Sequence, residues 1–446
     1  MKKYVSTILL LLGVTFVSAQ EIDSLPNVDG KVWTLEECLA YAVDNSITVK
    51  DAEYTEETAE VTYQQSKDNR LPNLTGSASQ SLTNGQSIDP ITSDYVNQQI
   101  NSTSLGLSSS VALFQGNQLR NQIKQNKILV DQNSLYVQEA KNNIILSVTE
   151  AYLQALYAKE GIAVAEKNLE ATSSQAEQAK ARYEAGSIAM QDYSDAISQA
   201  ATNKYNLIDA KNSYAQQIIV LKQLLELSPM VEFDVATPDT DAYESPILPN
   251  KYEIYESALG MLPEYKAAEL GVEVSEKDLD ISKGDYLPTL SLSGSLGSGY
   301  TSTQDLGFYD QLDVNFNQRL SLSLSIPIFN RNQTKAAVQK AKIAIDQSKI
   351  QQQTVQKEIY QKIETAYQNV LSAQEQLSAA EAASNAAEES YKLAQKKYDL
   401  GALSTTDLVV SQNTFTVAQQ NYLQAKYLNI LYTQLLQFYQ GKDIKI

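Results

Sequence analysis

Tyr398-Asp399-Leu400-Gly401-Ala402-Leu403-Ser404-Thr405-Thr406-Asp407-Leu408 is the only break in about 110 residues, Asn330 to Gln440, that hold no proline and no other glycine. Glycine alone enters the left-handed backbone of a helix C-cap without steric cost, so Gly401 reads as the turn of one very long helical hairpin. The pattern stands earlier as Tyr183-Glu184-Ala185-Gly186-Ser187-Ile188-Ala189-Met190-Gln191-Asp192-Tyr193, its glycine and aspartate each 215 residues before their counterparts. These stretches are two copies of one tip.

The duplication runs through the chain. Leu287-Pro288-Thr289-Leu290 echoes Leu71-Pro72-Asn73-Leu74, Phe329 echoes Phe114, and Ala366-Tyr367 echoes Ala151-Tyr152. Each copy holds a helix, a strand hairpin and a long helical hairpin. In the first (20–250) the capping box Thr34 to Glu37 opens a helix running towards Arg70 with a break near Asn45. A hairpin at about 73–114 follows, with strands Leu74 to Leu82 and Leu105 to Leu113 and a polar loop from Thr83 to Ser104. A helix then runs from Asn117 to Tyr183, with Val148, Tyr152 and Ala155 on one face, and returns after a tip at 186–192. Four of the ten prolines fall in 228–250, which reads as a linker. The second copy (251–446) places its hairpin at about 289–328 and its tip at 401–407.

In that second hairpin Leu320, Leu322, Leu324, Ile326 and Ile328 alternate with Ser321, Ser323, Ser325 and Pro327, and Leu290, Leu292, Gly294 and Leu296 alternate with serines. An aliphatic face opposite a serine face suits a wall between lipid and a watery lumen; a soluble sandwich is the other reading. Four strands cannot close a membrane barrel, and open edges in a bilayer leave backbone groups unsatisfied, so several chains must share one.

Met1 to Ala19 has Lys2 and Lys3, an apolar run and small residues before Gln20, the pattern of a secretory signal peptide. The chain carries a net charge of −18, and losing those two lysines leaves −20. Such a balance argues against nucleic acid as a partner and favours cations at a surface or lumen. Histidine is absent and Cys38 is the only cysteine, which removes Ser-His-Asp, Cys-His and His-ligated zinc chemistry and any internal disulfide. Glu36-Glu37, Glu56-Glu57 and Glu388-Glu389 are adjacent on helices, point in different directions and read as solvated faces.

In this order, twice over, these motifs resemble the TolC family of outer-membrane efflux proteins. The resemblance covers the mature chain and rests on Leu287-Pro288-Thr289-Leu290, Ile326-Pro327-Ile328-Phe329 and the two Tyr-x-x-Gly-x-x-x-x-x-Asp tips, the second followed by Leu408-Val409-Val410-Ser411-Gln412-Asn413. It implies a mainly α fold with a membrane β-barrel: a homotrimer sharing 12 strands, four per chain, in outer-membrane lipid, above a periplasmic α-helical tunnel. It implies no enzyme activity, metal or cofactor. A periplasmic adaptor and an inner-membrane pump would dock at Gly186, Ser187, Ile188, Gly401, Ala402 and Leu403. Asp407 matches an aspartate of the closed constriction, a ring of three carboxylates in a trimer; capping the returning helix, with Thr405 or Thr406, is its other reading. Tyr398 and Asp192 match a hydrogen-bonded pair that holds the tip shut; interhelical packing is the other reading for Tyr398. The chain departs from the family at Val410, where a second acid is expected, at Leu403, where an arginine joins the lock, at Ala112 in place of a proline, and at Asn45-Ser46 in place of Asn-Pro; Pro263 keeps that proline in the second copy. The expected function is the exit duct of a tripartite efflux system. The exit channel of a type I protein secretion system shares this architecture, and a periplasmic coiled-coil scaffold without a pore is the alternative of another class.

Overall fold

The computed structural model describes residues 30–88, 95–238 and 248–445; the signal peptide expected at 1–19 lies outside them, as does part of the 228–250 linker. Long helices dominate because breakers are scarce between them. α1 (Leu35–Asn45) and α2 (Ile47–Asp68) meet at Ser46, which ends the first helix and accepts a hydrogen bond from the Val49 amide as N-cap of the second. In the second copy α5 (Lys251–Met261) and α6 (Pro263–Gly284) break at Pro263, the first residue of α6. A serine cap and a proline thus produce the same break.

α3 (Gln118–Glu184) and α8 (Gln333–Asp399) each have 67 residues, and their returns α4 (Met190–Leu224) and α9 (Thr405–Tyr439) each have 35. At 1.5 Å per residue the longer pair reaches about 100 Å. The 215-residue offset holds at both ends of both pairs. Each long helix starts from a left-handed asparagine, Asn117 and Asn332. α3 packs along α4 and α8 along α9; α6 packs on both α3 and α8, and α2 on α3.

β2 (Thr75–Ile88), β3 (Tyr95–Gln115), β5 (Thr289–Thr301) and β6 (Asn317–Ser325) form an antiparallel sheet in the order β2-β3-β5-β6. The loop expected from Thr83 to Ser104 is mostly strand, because ladder hydrogen bonds extend the hairpin through polar residues that carry no apolar alternation. β6 stops at Ser325 ahead of Pro327, which has no N–H for the ladder, so Ile326 and Ile328 lie outside the strand that their alternation predicts. A short helix, α7 (Phe308–Val314), tops the second hairpin and was not expected.

The linker also holds more than turns. β4 (Phe233–Val235) pairs in parallel with β1 (Lys31–Trp33). The Tyr152 hydroxyl lies 3.0 Å from the Trp33 carbonyl and 2.8 Å from that of Ala236, fastening both segments to the middle of α3. Around them Trp33, Leu35, Cys38, Val148, Leu156, Leu221, Leu431 and Ile444 form the main core. Burial pushes the Cys38 thiol up to about 12, so it stays a protonated apolar filler. A second core joins Ile254 and Ala258 of α5 to Ile359, Ile363 and Val370 of α8.

Candidate functional site: the membrane sheet and the helical tips

In the sheet, register puts like with like. Leu107 faces Leu296, Val111 faces Leu292 and then Leu322, and Leu290 faces Leu324. A bulge between Ala112 and Phe114 brings Phe114 opposite Leu290, onto the same apolar face. Leu320, Leu322 and Leu324 are exposed at 76%, 65% and 62%, an apolar band with no cover from the other described residues. The opposite face carries Ser291 with Ser323, Ser293 with Ser321, and a row running Thr75, Ser108, Ser295, Arg319. Arg319 is the one charged residue in the four strands. A basic side chain at the bilayer midplane costs about 2–4 kcal/mol on the lipid face, so the row containing Arg319 belongs to the lumen side. Sequence reading stopped at Ser321; extending the alternation one step back would have found Arg319.

At the other end both tips close in the same way. Gly186 and Gly401 have φ of +74°, and the amides after them reach back five residues, Ser187 to the Arg182 carbonyl at 2.8 Å and Ala402 to that of Lys397 at 2.8 Å. With Gly186 to Tyr183 and Gly401 to Tyr398 at 2.9 Å each, both are Schellman turns. Gly186, Ser187, Gly401 and Ala402 are exposed, while Ile188 and Leu403 are half-buried.

The helix after the second tip is capped by Ser404, not by Asp407, Thr405 or Thr406. The Ser404 Oγ accepts from the Asp407 amide at 3.2 Å and donates to the Asp407 carboxylate at 2.7 Å. Ser404 takes the cap because it still has extended backbone, whereas Thr405 begins the helix. Asp407 is held in the first turn with its carboxylate exposed. Thr405 and Leu408 are buried against the hairpin.

Within the chain, Tyr398 and Asp192 make no hydrogen bond. Tyr398 is 5% exposed and its ring lies under the guanidinium of Arg182, 5.1 Å away. Arg182 also donates to the carbonyls of Tyr398 at 3.5 Å and Asp399 at 3.4 Å, at the C-terminal end of α8, where the helix dipole favours a cation. The phenol ring is buried against α3, which brings it to Arg182; Asp192 sits in the first turn of α4, beside the Tyr183–Tyr193 stack. Arg182 was missed because it matches no motif and lies one residue before the Tyr183 of the other tip. Above the tips, Gln175 donates to Tyr391 at 3.2 Å and Gln199 to Asn413 at 3.1 Å, tying the two hairpins together.

Two of the three acidic pairs have local partners. Glu37 completes the capping box with Thr34 and pairs with Lys31, and Glu388 and Glu389 both pair with Lys392. Among the described residues no group of three His, Cys, Asp or Glu side chains is placed to hold a metal, and no helix is long and apolar enough to cross a membrane.

A chain that joins an open-edged sheet, apolar on one face and serine-lined on the other, to helices about 100 Å long is a wall segment of a barrel-and-tunnel channel. The profile of the outer membrane efflux protein family matches residues 39–226 and 254–437, and the chain belongs to that family, one of outer-membrane channels rather than enzymes. It is 22% identical over 327 residues to outer membrane efflux protein BepC of Brucella suis, across 72% of this chain and 68% of that protein. Alkaline protease secretion protein AprF of Pseudomonas aeruginosa is 23% identical over 211 residues, 46% of this chain and 42% of that one. The solved structure of CusC, described as forming a transmembrane channel, superposes with a TM-score of 0.78 at 17% identity over 92% of each chain.

Proposed function

We propose that three copies of this chain form the outer-membrane exit duct of a tripartite efflux system, a passive conduit opened at its periplasmic tips by an adaptor and an inner-membrane pump. The sheet carries the argument: among the described residues its edges β2 and β6 are both unpaired and its apolar face has no cover, so a head-to-tail ring that pairs β6 with the next chain's β2 satisfies both. Three chains of four strands give a 12-stranded barrel. The helices repeat the logic. α6 fills the groove between α3 and α8, whereas α2 has α3 on one side only and exposes Ile47, Tyr54 and Val61 at heptad spacing; α8 exposes Ile343 and Ile350, also seven apart. In a ring α2 would seat against the next chain's α8 as α6 seats within the chain.

In this reading three Asp407 carboxylates surround the periplasmic opening, and Tyr398 belongs to the closure; Asp192, partly exposed in the first turn of α4, is placed to reach a neighbouring chain. Gly186, Ser187, Ile188, Gly401, Ala402 and Leu403 present the docking surface. Similarity to AprF supports protein secretion as the second reading, on the same duct. Heat-modifiable trimer bands in outer-membrane fractions and single-channel conductance in planar bilayers test the proposal. A soluble, non-conducting product refutes it.

A further inference from the structure

We propose that Arg319 forms an anion-binding ring inside the barrel, a site of opposite sign to the acidic periplasmic opening and selective for carboxylate- or phosphate-bearing cargo. The inference rests on the trimeric pore reading above.

Four observations carry it. First, Arg319 points to the serine face, in register with Ser295, Ser108 and Thr75, at the level where Leu107, Leu296 and Leu320 mark the apolar band outside. It therefore sits on the lumen side of the apolar band, two residues inside the α7 end of β6. Second, it has no partner among the described residues: no ion pair or side-chain hydrogen bond ties it down, and its side chain is exposed. Third, the strands themselves hold no acid to neutralise it, the nearest acids along the chain being Asp310 and Asp313 of α7. β2, β3 and β5 hold no charged residue, so the strand that joins β6 across the subunit boundary, β2 of the next chain, brings none. Fourth, its surroundings are built to assist an anion. Ser108, Ser110, Ser293, Ser295 and Ser321 line a groove with Arg319, offering hydroxyl donors beside a planar guanidinium that matches carboxylate and phosphate oxygens two at a time.

The geometry makes such a ring effective. Twelve strands about 4.8 Å apart, tilted by about 40°, enclose a barrel about 12 Å in backbone radius. An extended arginine reaches about halfway to the axis, so the three charges lie about 6 Å from an ion passing through the centre, inside the screening length of about 8 Å at physiological salt. Three charges at that range concentrate a monovalent anion about fivefold over bulk, and a multivalent one more than tenfold. In a chain of net charge −18, a lone cationic ring in an otherwise neutral barrel runs against the background, so its effect is not a by-product of composition.

The test uses the purified full-length trimer in planar bilayers, comparing wild type with R319S, R319Q, R319K and R319E. Tripolyphosphate is added to each chamber in turn, and reversal potentials are read in a potassium chloride gradient. Wild type and R319K are blocked from one chamber at similar concentrations, whereas R319S, R319Q and R319E need at least about tenfold more, and their chloride-to-potassium permeability ratio falls about fivefold. Conducting R319S or R319Q trimers with wild-type block and wild-type ion preference overturn the ring. If none of the neutral variants assembles, R319E and R319K decide it, since their charges differ while both retain a long polar side chain: equal block in those two overturns the ring. Wild-type protein that inserts no pore overturns the channel reading itself, a different failure from loss of selectivity in a working pore.

Discussion

Arg182→Met removes the charge at the tip while keeping an apolar stem over Tyr398. The guanidinium 5.1 Å from the buried ring contributes roughly 0.5–2 kcal/mol as a cation–π contact. Its position at the C-terminal end of α8 adds about 0.3–1 kcal/mol through the helix dipole, while hydrogen bonds of 3.4 and 3.5 Å are at the long limit and add little. About 1–2 kcal/mol per chain, taken three times for a symmetric opening, shifts the closed-to-open balance by about a hundredfold or more. The variant trimer, in planar bilayers without adaptor, should spend far more time in high-conductance states than wild type. Tyr398→Phe keeps the ring under Arg182 and should leave conductance unchanged, whereas Tyr398→Ala should raise it. Wild-type conductance in Arg182→Met refutes the clamp. An increase in Tyr398→Phe equal to that in Arg182→Met would assign closure to the phenol hydroxyl and a partner such as Asp192 of another chain.

Leu322→Lys puts a charge on the apolar face at about 2–4 kcal/mol per chain and should reduce outer-membrane trimer bands, while Ser323→Lys on the lumen side should be tolerated; equal loss in both refutes the assignment of faces. Gly401→Ala meets no atom within 4 Å, so its cost is the left-handed backbone alone, about 1–2 kcal/mol, read as faster proteolysis at residues 395–405 with an unchanged global melt. Burial raises the Asp234 carboxyl, but hydrogen bonds from Tyr214, Lys159 and the Val235 amide outweigh it and hold it below its usual range. Its stabilising contribution is therefore full above the ordinary carboxylate pKa and is lost as pH falls through the lower folded value; Asp234→Asn should flatten the acid side of a stability-against-pH curve, and an unchanged slope would refute the linkage. In hydrogen exchange, amides of 393–407 should open more readily than those of 178–192, and equal protection would show that the tips move together.

The repeat was the most legible feature, because glycine and proline are scarce enough here that those at the ends of elements, Gly186, Gly401, Pro72 and Pro288, stand out against the few that lie inside helices, such as Gly161 and Gly271. The aliphatic–serine alternation of β5 and β6 likewise predicts a two-faced sheet. What escaped was held by backbone pairing or by partners remote in sequence. The outer part of the first hairpin has no apolar period, since both faces meet water. β1 and β4 are three residues each and exist only through one another, 202 residues apart. At the tip, Ser404 outcompetes three neighbours for one cap position, and the Arg182–Tyr398 contact joins residues 216 apart that no local pattern connects.

The halves of the chain are equal in backbone and unequal in side chains, and the inequality locates the moving part. Helix ends agree at the 215-residue offset, and so do the left-handed positions: 116 and 117 with 331 and 332, Glu226 with Gly441. Backbone alone therefore gives neither hairpin a reason to swing. The first tip is fastened to itself, with Tyr183 stacked on Tyr193 at 5.5 Å and the Ser187 hydroxyl on the Arg182 carbonyl at 2.7 Å. The second has no such stack, since the positions matching Tyr183 and Tyr193 are Tyr398 and Leu408, and its ring is given over to Arg182 of the first tip. Above it, the Gln175–Tyr391 and Gln199–Asn413 bonds and the Tyr391–Phe415 stack hold the hairpins together at one level. Below that level the α8–α9 tip is restrained chiefly by one long-range cation. A wall of matched staves is expected to open where its cross-ties are fewest, which is the segment from Tyr391 to Phe415, and the hydrogen-exchange comparison of the two tips checks that expectation.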